Sequence, residues 1–100
     1  MEPVTPGKFP RPVQRETVAQ SWAERGYDCR LFVDAPGQEW NGFVHRTNEL
    51  VTVLEGELEC TVSGRTVRLG EGDELYIPRN AVHSVKNVHR GTTRWLFGYD

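Results

Sequence analysis

Cysteine is scarce in this sequence: there are two, Cys29 and Cys60. Two are too few for a disulfide framework, and their separation is not that of a Cys-x-x-Cys motif. They read as small buried hydrophobes, with a thiol ligand at Cys60 as the alternative. There is no excess of positive charge either. Twelve basic residues face fourteen acidic ones, for a net charge of −2. The lack of a basic field to offset phosphate repulsion argues against a dedicated nucleic-acid binder. No long apolar run is present, so no segment reads as a membrane-spanning helix. Met1 to Pro12 is polar and rich in proline, unlike a secretory leader, which gives the expectation of a cytoplasmic protein. The chain has 100 residues, which suit one domain with one modest core. Internal repeats and low-complexity tracts are missing.

What is present divides at about residue 16. Pro3, Pro6, Pro10 and Pro12 keep the first segment out of helices and central strands, and predict an extended N-terminal arm over 1–16. Thr17-Val-Ala-Gln20 resembles a capping box, Val18 and Trp22 lie one helical turn apart, and Gly26 supplies a stop. These signals predict a short helix over about Thr17 to Arg25. From Tyr27 the period changes to two. Cys29, Leu31 and Val33 alternate with Arg30, Phe32 and Asp34, and further short strands follow at Trp40–Val44, Leu50–Leu54, Leu58–Val62, Thr66–Leu69, Leu75–Ile77, His83–Val88 and Thr93–Tyr99. Turn signals at Pro36-Gly37, Glu55-Gly56, Ser63-Gly64 and Gly70-Glu71-Gly72 separate them. Short strands at this spacing predict an all-β barrel or sandwich over 17–100.

Three side chains carry the functional interest: His45, Glu49 and His83. Two imidazoles and a carboxylate, if they converge, make a divalent-metal site with open coordination positions. On one continuous strand, residues 45 and 49 would be about 13 Å apart, too far to share an ion. A helix would put them on one face, but Val51, Thr52 and Val53 follow at once and prefer strand. The remaining solution is a bend at Arg46-Thr47-Asn48, with His45 closing one strand and Glu49 opening the adjacent one. Asn80, after Pro78, suits a left-handed turn ahead of His83. Taken singly, each residue has a plain structural reading: a hydrogen-bonded histidine, a solvated strand-end glutamate. His89, in a polar turn, reads as having no role.

At these residues the chain resembles the cupin superfamily. The family's first motif has Gly, five residues, His-x-His, three or four residues, Glu, six residues, Gly; here His45, Glu49 and Gly56 fit. Its second has Gly, five residues, Pro-x-Gly, two residues, His, three residues, Asn; here Gly72, Pro78, His83 and Asn87 fit. Asn80 stands for the motif glycine, and Phe43 for the first histidine. The resemblance implies a cupin-type jelly-roll β-barrel with a metal ion near its wider mouth, typically iron, manganese, nickel, zinc or copper. It also implies a common tendency to form homodimers. Losing one of four usual ligands leaves His45, Glu49 and His83, and places Phe43 in the pocket; Trp40, Tyr76 and Trp95 are further candidates for its wall.

The function expected is that of a small cupin binding a divalent metal and a small organic ligand, as a metal-dependent oxygenase or isomerase. The alternative is a non-catalytic binding or sensory module with structural metal or none. A third is a metal-free isomerase using His45 and Glu49 as acid and base. Leu50, Thr52 and Leu54 share the strand face opposite Glu49, Val51 and Val53. Two outward leucines need cover from the helix, the arm or a second subunit, and a homodimer is expected.

Overall fold

The computed structural model describes residues 3–100. Two antiparallel sheets face each other, and one short helix lies outside them. The elements in chain order are β1 (Val4–Thr5), α1 (Arg15–Glu24), β2 (Arg30–Asp34), β3 (Glu39–Phe43), β4 (Glu49–Glu55), β5 (Leu58–Val62), β6 (Arg65–Leu69), β7 (Glu74–Ile77), β8 (His83–Asn87) and β9 (Thr93–Tyr99). The larger sheet has the order β1-β7-β4-β9-β2, and the smaller one β3-β8-β5-β6. This is the arrangement of a cupin jelly roll. No helix among the described residues is long and apolar enough to cross a membrane.

The core has two parts because the larger sheet is buried on both faces. Between the sheets, Val51, Val53, Leu75, Ile77 and Trp95 meet Leu58, Cys60, Val62, Leu69 and Val85. On the other face, Leu50, Leu54 and Leu96 pack against Phe9, Val18 and Trp22. In β4 every residue from Glu49 to Leu54 is consequently buried. The outward leucines thus find cover within the chain, from α1 and the segment before it. That face gives no call for a second subunit.

The N-terminal segment is fixed by pairing. Val4 and Thr5 pair with Leu75 and Glu74 at the sheet edge, and the Phe9 amide donates to the Gly72 carbonyl at 3.0 Å. Met1 and Glu2, the start of the arm expected over 1–16, lie outside the described residues. The helix begins at Arg15, two residues before the expected start, and its N-cap is Gln14 with no side-chain cap. Thr17 therefore sits inside the helix, because the Val18 amide already bonds to the Gln14 carbonyl at 3.2 Å and closes the first turn. The helix is held to β7 by Glu74, a buried carboxylate that accepts from the Trp22 indole at 2.9 Å and pairs with Arg25 at 2.8 Å.

Two motif glycines are required by close approach. Gly56 has φ +107° and lies against Thr93; Gly72 has φ +87° and lies against the Phe9 carbonyl. A Cβ at either would collide with its neighbour and strain the backbone.

Candidate metal and ligand site

The chain between β3 and β4 bends at Arg46-Thr47, as the sequence predicts. The strands it joins are not adjacent: β3 belongs to the smaller sheet and β4 to the larger. The bend is a crossing from one sheet to the other at the barrel's end. It carries His45 just beyond β3 and sets Glu49 as the first residue of β4. Asn48 anchors the crossing. Its side-chain oxygen accepts from the Tyr76 hydroxyl at 3.1 Å and the Arg79 amide at 2.9 Å, and its side-chain amide donates to Asp100 at 2.8 Å. The His45 carbonyl accepts from the Asn80 amide at 2.7 Å. Asn80 has φ +66°, the left-handed conformation expected of it.

His45, Glu49 and His83 come together here. Glu49 Oε1 lies 3.7 Å from His45 Nε2 and 3.4 Å from His83 Nε2. One donor atom from each of the three residues lies within 4.8 Å of the others. Metal bonds of about 2.0–2.2 Å allow shared donors up to about 4.4 Å apart. The two histidine–carboxylate distances already meet this. The 4.8 Å spread is wider than that limit, so gripping an ion takes a closure of several tenths of an ångström. His45, with 30% of its side chain exposed, has the freedom to supply it.

The donor chemistry fits a cation. His83 Nδ1 lies 3.1 Å from the Ala81 carbonyl, which can only accept, so Nδ1 carries the proton. In the neutral ring the lone pair then sits on Nε2, facing the carboxylate oxygen. Glu49 Oε1 is buried and has no hydrogen-bond partner among the described residues. Two acceptors facing each other in a buried site repel unless a proton or a cation stands between them. Burial lowers the basicity of His83, but the Glu49 carboxylate and the Ala81 carbonyl outweigh it, and the imidazole is held above its usual 6.5.

Above these groups lies an aromatic cavity of about 230 Å³. Phe32, Trp40, Phe43, Trp95, Phe97 and Tyr99 contribute to its wall. Phe43 stands at the rim, 38% exposed, its ring centroid 6.1 Å from those of both His45 and His83. Trp40 and Trp95 line the cavity as the sequence suggested. Tyr76 does not: it packs on the helix side of the larger sheet. Cys60 is no ligand. It lies in the core between the sheets, and burial pushes its thiol up to about 12.

Tyr99 was missed by sequence reading. Its hydroxyl lies 3.3 Å from His45 Nε2, and burial, then the Glu49 charge, hold its phenol above the usual 10. The signal was available: Trp95, Phe97 and Tyr99 alternate along one strand and so share a face. Asn87, the last residue of the second motif, is structural. It donates to the carbonyls of Asp34, Ala35 and Gly91 and accepts from Thr93 at 2.7 Å. His89 contributes its amide to Asn87 Oδ1 at 2.9 Å and takes no part in the cavity.

The sequence profile of the cupin domain matches residues 30–99, and the chain belongs to the cupin superfamily. No curated protein matches the sequence significantly. Among solved structures, the chain is similar to the cupin domain of Schizosaccharomyces pombe Cnp3, at 20% identity and TM-score 0.69, over 73% of this chain and 54% of that one. It is similar to an oxalate oxidase in complex with the substrate analogue glycolate, at 23% identity and TM-score 0.68, over 75% and 42%. It is also similar to salicylate 1,2-dioxygenase from Pseudoaminobacter salicylatoxidans, at 19% identity and TM-score 0.67, over 74% and 21%. The chain thus spans about half the length of the first of these and less of the other two. Likeness at this level concerns the fold.

Proposed function

We propose that this cupin binds one divalent metal ion through His45, Glu49 and His83 and holds a small organic molecule in the aromatic cavity beside it. One observation carries the reading: a buried carboxylate oxygen with no hydrogen-bond partner among the described residues, aimed between two imidazole nitrogens at 3.4 and 3.7 Å. Iron, manganese, nickel, zinc and copper are all compatible with two imidazoles and a carboxylate. When bound, such an ion supplies Lewis acidity toward an oxygen donor on the ligand.

The remaining work falls to the chain's own groups. Ala81 fixes the His83 tautomer, which keeps Nε2 free to bind. The Tyr99 hydroxyl, kept protonated by burial and by the Glu49 charge, can donate a hydrogen bond to a polar group arriving beside His45. Phe43 occupies the place of a fourth ligand and narrows the mouth, and the aromatic wall excludes water from the bound molecule. An oxygenase or isomerase acting on a small substrate is the activity this supports, and the fold shared with an oxidase and a dioxygenase is in keeping with it. The second reading is a binding module without turnover, favoured by the loss of one usual ligand at Phe43.

Elemental analysis of protein purified without chelator tests the metal directly. About one equivalent per chain is expected for the native protein and a small fraction of that for His83→Ala. Metal-free native protein that also fails to take up zinc, nickel, manganese, iron or copper on titration would sink the proposal.

A further inference from the structure

Asp34 is a carboxylate with no exposed surface, placed at the end of β2. Each of its oxygens accepts one indole N–H. Oδ1 takes that of Trp40 at 3.0 Å and Oδ2 that of Trp95 at 3.0 Å. Trp40 belongs to β3 in the smaller sheet and Trp95 to β9 in the larger. One side chain thus ties together two walls of the cavity that come from opposite sheets. Charge-assisted bonds of this kind are about twice as strong as neutral ones. Between the two indoles stands Phe32, its ring centroid 5.3 Å from that of Trp40 and 5.7 Å from that of Trp95, both edge-to-face. The spacing of the walls is therefore set by a fixed arrangement of rings about one buried carboxylate.

We infer that the cavity is a subsite for a single aromatic ring, and that Asp34 is the positioning residue that sets its width. Three observations carry this. The wall is built of ring faces and edges, which interact with another ring beyond what apolar area alone provides. The cavity, about 230 Å³, is smaller than the sites of drug-sized ligands, and suits one ring with a short substituent. Its polar groups are gathered at one end, at His45, Glu49, His83 and the Tyr99 hydroxyl, so a ligand needs one polar end and an otherwise apolar body. This deepens the proposed function by naming the ligand class, and its test is run without metal so that the two can fail separately.

The probes are phenol and cyclohexanol, two neutral alcohols of one six-membered ring, titrated into chelator-treated protein. The readout is nuclear magnetic resonance of the three indole N–H groups. Trp40 and Trp95 report on the cavity. Trp22, bonded to Glu74 on the far side of the larger sheet, is the internal control. Phenol is expected to shift Trp40 and Trp95 but not Trp22, and to bind about 2- to 10-fold tighter than cyclohexanol. In Asp34→Asn one indole loses its carboxylate acceptor, both cavity signals move, and the preference for phenol falls toward unity while Trp22 stays in place. Should that variant fail to fold, Trp40→Phe keeps a ring in the wall but removes one donor from Asp34, and the same fall in preference is expected. Equal or tighter binding of cyclohexanol would overturn the aromatic subsite. An unchanged preference in the folded variant would overturn the role of Asp34.

Discussion

Replacing Glu49 by glutamine should reverse its effect on stability according to whether metal is present. In the metal-free protein, at a pH above the raised folded pKa of His83, the carboxylate faces the lone pair of His83 Nε2 at 3.4 Å and no donor among the described residues satisfies Oε1. A buried unsatisfied polar atom costs about 1–3 kcal/mol. A glutamine amide can present an N–H at the same place and recover that amount. A domain of this size gains about 4–8 °C in Tm per kcal/mol, so Glu49→Gln should melt at least about 4 °C higher than native protein in chelator. With zinc or manganese at a hundred times Kd the native protein gains about 2.7 kcal/mol, or roughly 10–20 °C. The variant, lacking its anionic donor, should lose most of that gain. The two melting curves then cross: the variant leads without metal and the native protein leads with it. Thermal unfolding followed by circular dichroism, with and without chelator, reads both halves. A variant that melts well below native protein in chelator, yet keeps the full response to metal, would show that Glu49 is a structural residue and that the facing-acceptor argument is wrong.

The raised pKa of His83 gives a pH dependence of definite sign. A folded value above the unfolded one adds stability that is complete below the unfolded value near 6.5 and disappears as pH rises through the folded value. Chelated protein should therefore lose stability on going from pH 6 to above the folded value, while metal affinity, which competes with the proton, should rise over the same interval; titration calorimetry and melting at stepped pH would read the two opposite slopes. Phe43→His should retain metal more tightly in competition with a chelator, because it returns an imidazole to the rim of the site, and equal or weaker retention would mean that position 43 does not reach the ion. Gly56→Ala should lower stability by about 1–3 kcal/mol through left-handed backbone strain and collision with Thr93, which urea unfolding would measure; a change within about 0.5 kcal/mol would refute the close approach.

The barrel was legible in the sequence because its strands are short, alternate, and are punctuated by glycine turns. All eight strands from β2 to β9 fall where the pattern places them, within a residue or two. The two-residue β1 was not legible, since its only signal is the edge of β7, which lies far along the chain. The triad was legible because a bend was the only way to bring positions 45 and 49 together. Which sheets that bend joins was not, because strand neighbours are decided by tertiary packing and not by local pattern. Asp34 was hidden for a different reason. In an alternating strand a carboxylate reads as the solvent face, yet here Val33 is the exposed residue, and Asp34 is buried because two indole N–H groups satisfy it. Polarity predicts exposure only where no partner waits inside.

The same bonding explains why three ligand candidates from distant parts of the chain can be held in register. The His45 carbonyl is bonded to the Asn80 amide, three residues ahead of His83. The Asn48 side chain, next to Glu49, holds Arg79 in the same turn and Asp100 at the end of the chain beyond Tyr99. Each of the four polar groups at this end of the cavity therefore sits within four residues of a backbone or side-chain tie to another part of the site. Glu49 itself opens a strand whose next five residues are buried, with Val51 and Val53 on one side and Leu50 and Leu54 on the other. Shifting this strand by one residue would move every one of these side chains to the wrong face at once. The cost of that exchange fixes the register, and with it the position of the carboxylate. A site built this way depends on the core of the larger sheet as much as on its own three side chains. Its precision comes from burial on both faces of β4 and not from the strength of any single contact at the mouth.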